Sequence, residues 1–410
     1  MDNLGFAYFL TKIYFHGQAN INAHYNHYYA KPALMNKRKR TFILHATLCT
    51  MLVLTISSCS AQQLSIPGDN PLLTKLDSLV EQSARRYFKD KEAVGLSIGV
   101  LQKGTIHFYN YGETKAGNKQ LPDNHTIYEI GSTTKSFTGI LLGQAILDKK
   151  IGLDDDIRRY LKGDYPNLSY RGIPIRIRDL TNHTSRITRI FPNMWQRPDY
   201  DSLDPLHDYN RQLLYEGLHQ MKMDRAPGKI YSYSNMAVAL LGTILEDAYG
   251  QDYFTLVTNN ILTPLQMKDT RIDIQSMPAS RIAWPHNEQR EVVPLWDISK
   301  LPAMGALRSS TADMVKFISA NNKEISPAIA LSHRVTFGTE KEGMGLNWFI
   351  HSTPEGYKVL EHSGGTGGSR SSLECFPQLN SGFVILTNSL ANRNNLEKEL
   401  AAIVVEAATQ

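Results

Sequence analysis

Ser132 and Lys135, three positions apart within residues 131–135, are residues whose types and spacing suggest chemistry. On a helix, positions i and i+3 share a face, and a serine in the first turn lies near main-chain N–H groups that favour negative charge. A neutral lysine amine on that face could take the proton of the hydroxyl. The alternative is a serine that caps an amphipathic helix and a lysine at its surface, although no other S-x-x-K occurs in the chain.

The tripeptide Tyr233-Ser234-Asn235 is the second candidate. It precedes an apolar run, 236–249, which predicts a helix closed by Gly250 as its C-cap. A phenol beside a lysine can relay protons, and an amide side chain can hold a substrate amide. The alternative is a helix N-cap at Ser234 or Asn235.

The stretch His362-Ser363-Gly364-Gly365 is the third candidate, at the end of one predicted strand and near the start of another. Glycines at such a place let a substrate backbone come close to a sheet edge. The alternative is a glycine-rich loop without chemistry.

Ser97 also lies in a pattern that can mark a nucleophile, because residues 95–99 read G-x-S-x-G. That pattern needs a strand followed at once by a helix. Here the strand-like run continues through 100–101, so we do not predict that Ser97 is a nucleophile.

Taken together, the three motifs resemble those of the serine β-lactamase and penicillin-binding protein superfamily, which carries S-x-x-K, S-D-N and K-T-G. The Y-x-N form is similar to the branch that contains class C β-lactamases and D-alanyl-D-alanine carboxypeptidases. The resemblance covers about 72–408. Further stretches that agree with it are 128–130, 175–185, 261–270, 305–317 and 383–388.

The resemblance implies catalytic roles for three side chains. Ser132 would attack a carbonyl, and Lys135 would act as the base together with Tyr233, which then protonates the leaving nitrogen. The main-chain N–H groups of Ser132 and Gly365 would form the oxyanion hole.

The resemblance also implies a substrate-binding edge. Asn235 would bind the side-chain amide of the substrate, and His362 would orient either its carboxylate or Tyr233. Ser363 and Gly364 complete the edge. No metal and no cofactor is implied, and the partner would be a small-molecule or peptide substrate.

The sequence departs from the superfamily in three places, and one of them is Thr133-Thr134, which differs from the residues usual between serine and lysine in true class C enzymes. Typical class C enzymes have a lysine where this chain has His362, and that lysine helps to hold the carboxylate of the β-lactam. A histidine is mostly neutral at pH 7, and H-x-G occurs among the carboxypeptidases and D-amino-acid peptidases of the superfamily. Arg186 stands where many relatives have glycine, and nothing in the sequence explains it.

Three functions therefore stay open. The first is a serine hydrolase that acts on β-lactams or on D-alanyl peptide-type amides. The second is an esterase or a D-amino-acid amidase or peptidase on the same scaffold. The third is a non-catalytic envelope protein that keeps the fold for binding, but the presence of serine, lysine, tyrosine and asparagine argues against it.

The charge of the chain is concentrated at its N-terminus. The 410 residues contain 44 Lys+Arg and 39 Asp+Glu, of which six basic and one acidic lie in 1–58. The remainder, 59–410, has equal numbers of basic and acidic residues. This argues against a nucleic-acid partner, because such a partner needs a basic face. The hydrophobic share of 42% is that of a globular protein.

The N-terminal residues are typical of an exported protein. A basic cluster and a short apolar run predict a signal peptide over 35–58, and the residues that end at Cys59 resemble the lipobox of bacterial lipoproteins. We expect a lipid anchor on Cys59 and a periplasm-facing location in a bacterial envelope; the alternative is an ordinary signal peptide cleaved near Ala61. Residues 1–34 do not fit this pattern, so we interpret them as a spurious or disordered extension and Met35 as the true start.

The remaining pattern predicts an α/β (α+β) fold, and the resemblance implies that it is of the β-lactamase/transpeptidase type. After a tether over 59–71, one domain over 72–410 would contain an antiparallel sheet made from both chain ends, terminal helices on one face, and a mainly helical insertion over about 112–340. The predicted helices are 72–88, 132–148 and 391–407, and the predicted strands are 94–102, 105–111, 346–351, 358–362, 370–376 and 383–388.

Overall fold

The computed structural model describes residues 66–410. The extension over 1–34, the signal peptide over 35–58 and the lipidation site Cys59 lie outside the described residues. Within 66–410, no helix is both long enough and apolar enough to cross a membrane.

One sheet of eight antiparallel strands is built from both ends of this part of the chain. Its strand order is 2-1-12-11-10-9-8-7, and two further pairs, 3 with 6 and 4 with 5, lie outside it. The predicted sheet is therefore confirmed. The strands are β1 (Gly95–Gln102), β2 (Thr105–Gly112), β3 (Tyr128–Glu129), β4 (Ser169–Tyr170), β5 (Ile173–Pro174), β6 (Arg308–Ser309), β7 (Phe337–Thr339), β8 (Glu342–Met344), β9 (Phe349–Ser352), β10 (Lys358–Gly365), β11 (Arg370–Phe376) and β12 (Ser381–Thr387).

Helices fill the region between β2 and β7 and flank the sheet at both ends. The α-helices are α1 (Lys75–Tyr87), α2 (Thr134–Leu147), α3 (Ile177–Thr181), α4 (Arg211–Gln220), α5 (Asn235–Tyr249), α6 (Tyr253–Val257), α7 (Thr263–Leu265), α8 (Thr311–Asn322), α9 (Pro327–Ser332) and α10 (Asn394–Thr409).

The sheet is covered on both faces. In β12, Phe383 and Ile385 belong to an apolar cluster with the buried sides of α1 and α10, whereas Val384 and Leu386 belong to a larger cluster with α2, α5 and α8. Because alternate residues of a strand point to opposite faces, a strand covered on both sides needs an uninterrupted apolar run. The terminal helices thus cover one face, as predicted, and the helices that carry the motifs pack on the other.

Local sequence signals account for several element ends. The turn between β1 and β2 is Lys103-Gly104, and both residues have positive φ, 49° and 88°, as the favoured two-residue hairpin turn requires. Helix α1 begins with a capping box, in which Asp77 N–H donates to Thr74 Oγ1 (3.0 Å) and Thr74 N–H donates to Asp77 Oδ2 (2.9 Å). The predicted hairpin is confirmed, and helix α1 starts at Lys75, three residues later than predicted.

Two features of the insertion differ from the sequence-based expectation. Helix α2 begins at Thr134, after a 3₁₀ turn over Gly131–Thr133, and Gly131 has φ +48°, which an α-helix does not tolerate. The hairpin of β7 and β8 extends the sheet, although its few half-exposed residues carry no clear alternating pattern. Both features depend on tertiary contacts that a local pattern does not contain.

Helix α2 is packed against its neighbours closely enough that two of its glycines have no room for a side chain. A Cβ at Gly139 would lie 1.8 Å from the Leu346 carbonyl oxygen, and one at Gly143 would lie 2.5 Å from that of Ala328 in α9. Because protein interiors are close-packed, these contacts fix the depth at which α2 lies in the domain.

Gly139→Ala should therefore lower the free energy of unfolding by about 3 kcal/mol, since overpacking a rigid backbone contact outweighs the helix preference of alanine. Chemical denaturation monitored by circular dichroism measures it. Gly117→Ala is the control, because its φ is +81° but nothing lies within 4 Å of the added Cβ; it should cost only about 1 kcal/mol. Equal losses in both variants would contradict the packing argument.

Candidate active site

The turn that carries Ser132 is held against the end of β10 by contacts that only glycine allows. A Cβ at Gly131 would lie 2.6 Å from Gly365 N, and one at Gly364 would lie 2.0 Å from Ile130 O and 2.8 Å from Ser132 N. The main-chain amides of Ser132 and Gly365 thus belong to two segments in direct contact. Two such N–H groups in that position suit the oxyanion hole that the sequence predicts.

Two hydroxyl groups hold the serine turn against the sheet through hydrogen bonds. Ser371 Oγ in β11 donates to Ile130 O at 2.7 Å and lies 2.8 Å from Thr133 Oγ1. The residues before and after Ser132 are therefore fixed to the sheet, and the serine itself remains partly exposed.

Lys135 lies one turn further on and is fully buried. Its Nζ is 2.9 Å from Ser132 Oγ, and it also donates to the Met304 carbonyl oxygen. Burial lowers the pKa of Lys135 well below its usual value, and the positive charge of Arg189 adds to this effect. Both effects favour the neutral form of the amine, which can accept a proton.

Tyr233 completes a group of three side chains. Burial is the main cause that raises the pKa of its hydroxyl to about 12, and an interaction with the Ser132 side chain partly offsets this effect. Lys135 Nζ lies 5.2 Å from the centre of its ring. At neutral pH the phenol therefore keeps its proton and can donate it. The structure brings Tyr233 together with Ser132 and Lys135, from which it is separated by about a hundred residues in the chain.

Ser234 and Asn235 begin helix α5. Ser234 Oγ accepts from Ala237 N–H at 2.9 Å, so the N-cap that we considered as an alternative is present. The cap and a functional role do not exclude each other, since Tyr233 and Asn235 flank the capping residue. The side-chain oxygen of Asn235 is buried without a hydrogen-bond donor among the described residues, which leaves it free to accept from a substrate amide.

His362 lies inside β10, which continues to Gly365 rather than ending at the predicted residue 362. The stretch His362-Ser363-Gly364-Gly365 is thus strand and not loop, and its last three residues pair with the first residues of β11. His362 Nδ1–H donates to Ser363 O at 2.8 Å, and its Nε2 is buried without a partner in the described structure. Burial, with a smaller effect of Lys135, lowers the pKa of His362 to about 3.

The neutral state of His362 limits what it can do for a substrate. An uncharged ring whose Nδ1–H is already used offers only the Nε2 lone pair, which accepts a hydrogen bond. A carboxylate has no proton to donate, so an ionic contact with it is disfavoured. The geometry favours the other expected role, in which His362 orients a hydrogen-bond donor such as a hydroxyl.

His183 is a residue of this region that the motifs did not single out. It is fully buried with φ +59°, its Nδ1 accepts from Ser234 N–H at 3.3 Å, and its carbonyl oxygen accepts from Ser232 N–H at 2.7 Å. Its ring lies 4.4 Å from the ring of Tyr233. His183 therefore positions the segment that carries Tyr233. It lies within 175–185, and that stretch was the only signal for it.

Glu129 fixes the other side of the site. Its buried carboxylate accepts from Trp296 N–H at 2.8 Å and from Thr366 Oγ1 at 2.6 Å, and Arg308 Nη2 lies 3.7 Å away. Burial raises the pKa of Glu129 despite these partners. Because Thr366 follows Gly365, the carboxylate ties the turn after β10 to β3.

Two other side-chain groups offer alternatives that the structure explains otherwise. Ser97 lies fully buried in the middle of β1 with its Oγ 2.9 Å from Tyr128 Oη, which confirms that it is not an exposed nucleophile. Among residues 66–410, His207, Asp208 and Asp297 form a trio that could hold a cation. The imidazole already contacts both carboxylates, at 3.2 and 3.8 Å, so this largely exposed trio is accounted for as ion pairs.

Comparison with known proteins agrees with this geometry. The chain is 26% identical to the D-alanyl-D-alanine-carboxypeptidase/endopeptidase AmpH of Escherichia coli over 90% of its own length and 97% of that protein. It is 23% identical to a β-lactamase of Pseudomonas fluorescens over 82% of its length and 99% of that protein. Among solved structures, a β-lactamase/D-alanine carboxypeptidase from Yersinia pestis superposes with a TM-score of 0.69 at 22% identity and covers 81% of this chain and 98% of that one.

The family match is longer than any of the motifs. Residues 77–407 match the family described as Beta-lactamase, and this span runs from the first helix of the domain to the last. It includes the serine turn, the Y-x-N helix start and the end of β10. The chain therefore belongs to the β-lactamase family.

Proposed function

We propose that this protein is a serine hydrolase that forms an acyl-enzyme on Ser132 with β-lactams or with D-alanyl peptide-type amides. The observation that carries the proposal is the buried amine of Lys135, 2.9 Å from the Ser132 hydroxyl and held below its usual pKa. The named activities of the relatives, a carboxypeptidase/endopeptidase and a β-lactamase, support the substrate class.

The first half of the reaction follows from the protonation states. Neutral Lys135 takes the proton of Ser132 as the oxygen bonds to the substrate carbonyl carbon, and the carbonyl oxygen becomes an oxyanion between the N–H groups of Ser132 and Gly365. Tyr233 gives its proton to the leaving nitrogen as the C–N bond breaks. The ammonium of Lys135 then returns a proton to the phenolate, and the acyl-enzyme remains.

The second half uses the same groups in the opposite direction. Neutral Lys135 accepts a proton from a water molecule, whose oxygen attacks the ester carbonyl, and the resulting ammonium is the source of the proton that Ser132 regains. The bond to Ser132 breaks and the serine recovers its proton. Asn235 accepts a hydrogen bond from a substrate amide, and Ser363, Gly364 and Gly365 present the edge of β10 to the substrate backbone.

A second candidate is an esterase or a D-amino-acid amidase or peptidase with the same nucleophile. The specific observation in its favour is the neutral His362, which replaces a cation that holds the carboxylate in typical class C enzymes. A substrate without a carboxylate at that place would not need the missing charge.

We also propose that the protein acts in the bacterial cell envelope, anchored by a lipid on Cys59. The basic and apolar pattern of 35–58 supports export, and D-alanyl peptides of the cell wall lie outside the cytoplasm. The lipid anchor would keep a domain without net charge near that substrate.

Ser132→Ala should abolish acylation by a penicillin and then by a cephalosporin, because it removes the atom that bonds to the substrate. An intact-mass time course measures it. An adduct of one drug mass that appears and clears in the unmodified protein indicates a β-lactamase, and one that persists indicates a penicillin-sensitive peptidase. Ser97→Ala is the matched control and should be acylated normally. Full labelling of the Ser132→Ala variant would overturn the assignment.

The pH dependence of kcat/KM for an uncharged ester should show one rising limb, as Lys135 loses its proton through its lowered pKa. The rate should then stay level over the usable alkaline range, because Tyr233 keeps its proton to a pH of about 12. Lys135→Arg should lose at least about 100-fold in rate and lose the limb. Tyr233→Phe should be slower but keep the limb; if the limb disappears there instead, the titrating group is the phenol.

Cys59→Ala in the full chain should abolish incorporation of labelled palmitate in a bacterial host and shift the protein from the membrane fraction to the soluble one. Cys49→Ala, which removes the other cysteine of the leader, is the control and should leave both unchanged. Equal labelling of the two variants would rule out Cys59 as the lipidated residue.

A further inference from the structure

The substrates of the proposed function carry a negative charge that the site must accommodate. A penicillin and a D-alanyl peptide both carry a carboxylate close to the bond that is broken, and a site for them gains from a cation. His362 stands where the resemblance would place a lysine, but its buried ring is neutral and its Nδ1–H is used by Ser363 O. Lys135 and His183 are buried with lowered pKa values as well. These three groups leave the site without a permanent positive charge of their own.

Arg189 supplies a permanent charge at this place. Its guanidinium carbon lies 5.1 Å from the centre of the Tyr233 ring, the ring whose hydroxyl interacts with the Ser132 side chain. Its carbonyl oxygen accepts from Asn235 N–H at 3.1 Å, so its backbone is fixed to the start of α5. Arg189 is therefore tied to two of the candidate site residues, one through its side chain and one through its main chain.

The guanidinium of Arg189 is also unpaired, unlike those of its neighbours. Arg186 forms a bidentate ion pair with Asp224, at 3.0 and 3.1 Å, and Arg197 pairs with Asp199 at 2.6 Å. Around Arg189, which is exposed, no carboxylate of the described residues lies within 4 Å. A solvent-facing arginine above the catalytic tyrosine thus keeps its donors available.

We infer that Arg189 binds the carboxylate of the substrate and takes the place of the cation that His362 does not provide. The guanidinium presents paired N–H donors in a fork that matches a carboxylate. The ligand class is therefore an acyl compound with a free carboxylate next to the scissile amide. The inference rests on the proposed function and narrows its substrate class.

Arg370 is the competing cation near the site. Its Nη1 donates to Thr366 O at 2.8 Å and to Ser369 O at 3.1 Å, and it lies next to Gly365. These bonds hold the turn between β10 and β11 in place. Because the side chain is largely buried and serves the turn, we assign it a structural role, and the test below separates it from Arg189.

The test compares substrates that differ only in the carboxylate. Acylation of Ser132 by benzylpenicillin and by its methyl ester is followed by intact mass, and cleavage of an N-acylated D-alanyl-D-alanine peptide is compared with that of its C-terminal amide. Arg189→Ala should slow the reaction of each free acid about 10- to 100-fold, the effect expected for a lost hydrogen bond between charged groups. The ester and the amide should change less than about threefold.

Two further variants act as controls. Arg189→Lys should recover part of the reaction of the free acids, because it keeps the charge but not the fork. Arg186→Ala removes a positive charge three residues away that is already paired. It should change the acylation rates of the free acid and of the ester by the same factor. If Arg186→Ala lowers the ratio of the acid rate to the ester rate as much as Arg189→Ala does, the total positive charge of the segment is responsible, and the inference is overturned.

Two other results for Arg189→Ala would overturn the inference. If Arg189→Ala slows acid and ester equally, Arg189 acts through Tyr233 and Lys135 and not on the carboxylate. If it slows neither, the carboxylate binds elsewhere, with Arg370 as the nearest cation. Failure of the unmodified protein on all four substrates would instead overturn the proposed function itself, so the two failures are distinguishable.

Discussion

The removal of the Lys135 amine from water is the physical constraint on which the site depends. A buried ammonium ion without a counter-ion is costly, so the group loses its proton instead of carrying the charge into the interior. The nearest acceptors are the Ser132 hydroxyl and the Met304 carbonyl oxygen, neither of which is charged. A carboxylate at either place would have kept the lysine protonated and useless as a base. Within residues 66–410 no acid pairs with Lys135, and this is as much a part of the site as the lysine.

Burial of that amine requires the packing of the whole helical side of the domain. Helix α2 packs so closely that a side chain at Gly139 would overlap the backbone at Leu346, and the centre of the Tyr233 ring lies 5.2 Å from Lys135 Nζ. On the other side, Gly131 and Gly364 let the serine turn reach β10 at contact distance. The position of the nucleophile and the protonation state of its base are thus set by the contacts of α2 and the serine turn with Leu346 and β10.

The parts of this arrangement that the sequence predicts are those that a local pattern can encode. The apolar run in β12, the Lys103-Gly104 turn and the three motifs depend on short stretches, and each element lies within a few residues of its predicted bounds. Arg189 and His183 could not be identified as neighbours of Tyr233, because one lies in a polar loop without periodicity and the other is distinguished only by its φ and its burial. The 3₁₀ turn before α2 was missed for a related reason, since it depends on how closely β10 approaches Gly131.

With a neutral His362 and a charged Arg189, the positive charge of the site lies on an exposed residue. A lysine on β10 would place that charge in a buried position instead. A lysine at position 362 would add a positive charge beside Lys135, in a place where desolvation already opposes charge. An exposed arginine has no such penalty, and the pKa of Lys135 is lowered more by burial than by the charge of Arg189. The contact it makes with a carboxylate is open to water, so salt should weaken it more than it would weaken a buried pair. On this argument the domain separates two tasks that one strand lysine would combine: the interior controls the proton, and the rim selects the charge of the substrate.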